Sequence, residues 1–88
     1  MTLEQAQALK VGDMVRWKDP NTREETLEVV IAPAEWTKRQ LRSNPRAVAV
    51  ALQTIAVMNS GDDPDDKANI GDEGWINEYN HGCFEKVA

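Results

Sequence analysis

His81 and Cys83 are the single histidine and single cysteine of the 88 residues, and together they form the one nucleophile-and-base pair on offer. Two residues apart on a strand they would share a face, with Glu85 continuing the row. A histidine in a turn beside Gly82 and a small apolar filler at Cys83 account for the same residues without chemistry. No catalytic residue is therefore assigned, and the chain is read as a non-enzyme. A structural zinc site needs four ligands, and no second Cys or His exists to supply them.

Asp62, Asp63, Asp65 and Asp66 form an acidic cluster of the kind that hard cations prefer. The spacing fails the calcium loop: counting from Asp63, position 5 is Lys67 and position 6 is Ala68, where an oxygen ligand and a glycine are needed. No metal or cofactor is assigned. Lys38, Arg39, Arg42 and Arg46 lie within nine residues that hold no acid. Such a run is usually a solvated face, but it is also the one segment able to face an anion. Four of the five aromatic residues are Trp17, Trp36, Trp75 and Tyr79. Rings of this kind supply large, rigid contact area. Trp17 and Trp75 are expected in the core, which leaves Trp36 and Tyr79 for contact. The candidate binding residues are Arg16, Trp36, Tyr79, Lys38, Arg39 and Arg42.

Charge and length narrow the function classes. Ten basic against fifteen acidic residues leave a net charge of −5, so general binding to a nucleic-acid backbone is disfavoured. Residues 1–46 carry eight basic and seven acidic groups, and residues 47–88 carry two and eight, so the chain is polarised. Its length suits one domain, 1–88, with one modest core. The longest mainly apolar run, 47–58, falls well short of the ~20 residues of a membrane-spanning helix, so no membrane partner is expected. A lone thiol without a signal-like segment suits a reducing, cytoplasmic compartment.

The elements that must position these groups are legible in the patterning. Thr2 and Gln5 form a Thr-x-x-Gln capping box for a short helix at 3–9, with Gly12 as its stop. Alternation predicts strands at 14–18, with Val15 and Trp17 on one side, and at 26–32, with Leu27, Val29 and Ile31 inward. Asp19, Pro20 and Asn21 supply the turn between them. One or two helical turns fit residues 35–42. Residues 47–58 read as a strand with a bulge near Gln53, although four alanines and an Asn44-Pro45 start also suit a helix. Residues 60–74 form a long acidic loop with too little to bury, expected to be mobile. Strands at 75–79 and 83–87, joined by a turn at Asn80-His81-Gly82 with the glycine at positive φ, read as a closing hairpin.

The stretch Leu9-Lys10-Val11-Gly12-Asp13-Met14-Val15-Arg16-Trp17 resembles the opening strand of small Src-homology-three-like barrels in bacterial and phage accessory proteins. Gly74-Trp75-Ile76-Asn77-Glu78-Tyr79 and Phe84-Glu85-Lys86-Val87 look like the last two strands of such a barrel. Residues 2–16 bear a fainter likeness to phage proteins that sequester nucleotide signals, but there Arg and Trp are separated, whereas Arg16 and Trp17 adjoin. The fold expected is α+β: a small bent antiparallel sheet or partly open β-barrel with a short N-terminal helix. The expected function is non-enzymatic binding, by a phage or mobile-element accessory or inhibitor protein that docks on a protein partner. The alternatives are a binder of a small anionic ligand such as a nucleotide signal, and a minor enzyme using His81 and Cys83.

Overall fold

A computed structural model describes residues 1–34, 49–65 and 67–87. The capping box forms as expected. Thr2 Oγ1 accepts from the Gln5 amide at 3.1 Å, and Gln5 Oε1 accepts from the Thr2 amide at 2.8 Å, which starts the single-turn helix α1, Leu3–Gln7. The helix stops at Ala8, ahead of the expected 3–9 end. Gly12 has another duty: at φ +93° it shapes a turn whose Gly12 amide donates to the Val30 carbonyl at 2.9 Å. That bond, with Val30 N–H to the Asp13 carbonyl at 2.8 Å, docks the helix end against the sheet.

Five antiparallel strands follow: β1 Met14–Lys18, β2 Glu25–Ala32, β3 Val50–Asn59, β4 Glu73–Ile76 and β5 Phe84–Val87. They form one open sheet in the order β4-β3-β2-β1-β5, so the fold is α+β with a partly open sheet. The turn after β1 is organised by Asp19, whose Oδ1 accepts the amides of Asn21 at 2.7 Å and Thr22 at 3.2 Å. The ambiguous segment is a strand where it is described. Its pairing with β2 is irregular at three places, and the one just past Gln53 leaves Ile55 as the extra residue between the Glu28–Thr54 and Leu27–Ala56 pairs. The helical turns expected at 35–42 lie outside the described residues.

Two expectations about the strands are corrected. The inner face of β2 is Thr26, Glu28 and Val30, all buried, while Leu27 and Val29 are half-buried and Ile31 is exposed. Register decides this. Val15 and Trp17 of β1 stand opposite Glu28 and Thr26, and paired residues share a face. Burying Val15 therefore turns the even-numbered residues of β2 inward.

The tail, secondly, is no hairpin. β4 pairs with β3 and β5 pairs with β1, at opposite edges of the sheet. Between them the chain runs through a turn of 3-10 helix at His81–Cys83, and Gly82 is not among the positive-φ glycines. Asn80 holds this connection, since its Oδ1 accepts from the Asn77 amide at 2.7 Å and its Nδ2 donates to the Trp75 carbonyl at 2.8 Å. Ile76 of one edge strand and Phe84 of the other share one buried cluster, so the sheet is curled. The core gathers inside the curl, where Ala6 and Leu9 meet Val15, Val30, Val50, Leu52, Ile76 and Phe84.

The acidic loop is also better anchored than its composition implied. Its Asp62 amide donates to the Thr22 carbonyl, and its Gly71 amide to the Thr54 carbonyl, both at 2.8 Å. The Ala68 amide donates to the buried Glu24 carboxylate at 3.0 Å. Partners on the β1–β2 connection and on β3 offset the ordering entropy that the loop's own side chains could not.

Candidate functional site

Arg16 projects from the outer face of β1. Its Nε lies 3.2 Å from Glu25 Oε1, and Glu85 stands opposite it across the β1–β5 pair. Arg16, Lys18, Glu25 and Glu85 share a shallow groove of about 440 Å³, so two cations there face two acids. Tyr79 is 87% exposed in the turn after β4 and is not part of that groove. Trp36, Lys38, Arg39 and Arg42, the other candidate binding residues, lie outside the described residues.

The His81–Cys83 pair does not form a strand face, because both residues sit in the 3-10 turn ahead of β5. His81 Nδ1 is 2.9 Å from the Met1 carbonyl, an interaction that ties the turn to the chain's first residue. Cys83 is half-buried against the core. Each thus has a local structural role.

Trp75, expected in the core, is instead 57% exposed. On β4 it is the next-door neighbour of Ile76, which is fully buried, and alternation sends the two to opposite faces. Trp75 stands opposite Ala51 and borders a groove of about 410 Å³ floored by Ile31, Ala32, Pro33 and Ala51. The groove is mostly apolar, with Glu73 as its charged rim. The Ile31 that sequence alternation placed inside is 39% exposed here. Sequence reading missed this groove because it assigned both Trp75 and Ile31 to the interior.

A different site lies within the curl. Trp17, Thr26, Glu28 and Thr54 line a cavity of about 240 Å³ together with Asp72 and Phe84. Glu28 is only 8% exposed, and its Oε1 accepts from the Thr54 hydroxyl at 3.0 Å. Burial pushes its carboxyl above the usual glutamate range, and the charges of Asp72 and Glu24 add to the shift. The neighbouring hydroxyls of Thr54 and Thr26 act the other way. Even so, neither Glu28 Oε2 nor Thr26 Oγ1 has a partner in hydrogen-bonding geometry.

No family model, curated protein or solved structure matches this chain. Among the described residues, no group of three or more His, Cys, Asp or Glu is placed to hold a metal ion, and no helix is long and apolar enough to cross a membrane.

Proposed function

We propose that this chain is a non-enzymatic binding module that docks on a protein partner through the outer groove between the ends of β2 and β4. The observation that carries this reading is Trp75, 57% exposed over an apolar floor that includes Ile31. Scattered apolar residues on a surface are ordinary, whereas a tryptophan bordering an apolar groove has the composition of a binding hot spot. An apolar side chain of the partner fills the groove, and a basic rim on the partner complements Glu73 and the net charge of −5. The resemblance to Src-homology-three-like accessory proteins fits this use. A closing strand that returns to pair with β1 supports that kinship, and the setting is a cytoplasmic accessory or inhibitor protein of a phage or other mobile element.

The test uses the wild-type chain, Trp75→Ala and Ile31→Glu as baits in host lysate, followed by titration of the purified partner. Both variants should stay folded and lose at least about tenfold in affinity, as truncating a hot-spot tryptophan does. Retention of full affinity by both folded variants would refute the groove as the docking site.

A further inference from the structure

We propose that the free edge of β4 takes an extended, basic segment of the partner as a sixth strand, paired antiparallel with Glu73 and Trp75. This deepens the docking reading and rests on it, since Trp75 belongs to both surfaces. β4 ends the sheet, and among the described residues it pairs only with β3. Along β3, Thr54 turns its amide to the Asp72 carbonyl and its carbonyl to the Gly71 amide, so alternation turns the backbone groups of Gln53 and Ala51 towards β2. Their partners across the pair are Glu73 and Trp75, whose own amides and carbonyls therefore face away from β3. Edge groups of this kind are a template for another strand.

One hydrogen bond marks what the edge accepts. The Trp75 carbonyl takes a bond from Asn80 Nδ2 at 2.8 Å, a side-chain amide standing where the N–H of an added strand would be. That bond is solvent-exposed, so a backbone amide can replace it at little cost. Side chains then select the segment. Glu73 and Trp75 both border the outer groove, and residues two apart on a strand share a face. An incoming strand thus needs a cation opposite Glu73 and, two residues away, a β-branched or aromatic side chain opposite the 57% exposed Trp75. A second copy of this chain is a poor occupant, because its β4, Glu73-Gly74-Trp75-Ile76, brings no cation to Glu73. In such additions the main-chain bonds supply affinity and the alternate side chains supply selectivity.

The probe is the blocked heptapeptide acetyl-Thr-Lys-Thr-Val-Thr-Lys-Thr-amide, which sets valine opposite Trp75 and a lysine opposite Glu73. Titrated into isotope-labelled protein, it should saturate at about millimolar concentration. The amides of Glu73 and Trp75 should shift and exchange more slowly, and the displaced Asn80 side-chain amide should shift with them. Two N-methylated peptides test the pairing itself. Methylating the valine amide removes the donor to the Trp75 carbonyl and should abolish binding, whereas methylating the preceding threonine amide, which faces away from β4, should change affinity by less than about twofold. Glu73→Gln should weaken binding about two- to threefold by removing the cross-strand charge pair. Ile31→Glu lies in the groove and away from the edge, so it should leave peptide binding intact. Loss of the partner in that variant reports on the groove, and loss of the peptide on valine methylation reports on the edge. The proposal is overturned by no saturable shift, by equal binding of the valine-methylated peptide, or by shifts confined to residues away from β4 and Asn80. Dimerisation of the free protein that protects the same amides would assign the edge to a second copy, and would overturn it too.

Discussion

The Glu28 carboxylate and the Thr54 hydroxyl meet at 3.0 Å across the β2–β3 pair, inside the curl of the sheet. They place a titratable acid where a small domain would ordinarily put an aliphatic side chain. The sheet thus has an apolar end packed by α1 and a polar end lined by Thr26, Glu28 and Thr54.

This placement makes stability depend on pH. Because the folded-state pKa of Glu28 is raised, the folded protein binds more protons than the unfolded chain between the ordinary value of 4.5 and the raised one. Stability should therefore be highest below pH 4.5 as far as Glu28 is concerned, fall as pH rises through the raised pKa, and then level off. The groups facing it are Asp72, Glu73 and Glu24, with the two threonine hydroxyls. Glu28→Gln removes the charge and offers an amide donor to Thr26 Oγ1, so it should stabilise the protein by about 1 kcal/mol near pH 8. The melting temperatures of the two proteins should diverge as pH rises from 4.5 through the raised pKa and keep a constant offset above it, and curves parallel throughout would contradict the assignment.

Gly61→Ala should destabilise by about 1–3 kcal/mol. Gly61 has φ +78°, and an added Cβ would meet Glu24 Cβ and the Thr22 carbonyl, both at 3.0 Å. The neighbouring Asp62 amide is the donor to that same carbonyl. Urea unfolding measures the loss, and Gly12→Ala, with open space around its Cβ, isolates the contribution of backbone strain.

His81→Ala should cost about 1 kcal/mol, the usual worth of one hydrogen bond, because it removes the contact with the Met1 carbonyl. Cys83→Ala trims a half-buried side chain and should cost a similar amount. Neither should alter partner affinity measured well below the melting temperature. A variant that melts normally yet loses function would return the pair to consideration as a reactive site.

Amide hydrogen exchange should divide the acidic loop. The Gly71, Asp62 and Ala68 amides, bonded to Thr54, Thr22 and Glu24, should exchange slowly, and the Asp65 amide, held by a solvent-exposed bond to the Asp63 side chain, should exchange fast. Glu24→Ala should release the Ala68 amide specifically. Asp62→Asn should change stability by less than about 0.5 kcal/mol, since its 3.9 Å pairing with Arg23 joins two highly exposed side chains.

Local signals were legible wherever near neighbours alone determine the outcome. The Thr2–Gln5 capping box and the β1 alternation at Val15 and Trp17 depend on residues a few positions apart, and both formed. The open antiparallel sheet with one short helix was likewise readable from strand patterning and turn residues. What only the tertiary structure decided is which partner each strand meets. Leu27, Val29 and Ile31 made the more apolar row of β2, yet pairing with β1 turned Thr26, Glu28 and Val30 inward. A strand has two faces, and a single-residue change of register exchanges them. For the same reason Trp75 came to the surface and the buried Glu28 site stayed hidden. The tail read as a hairpin because its two strands adjoin in sequence, whereas curling of the sheet delivers them to opposite edges, and that curvature belongs to all five strands together.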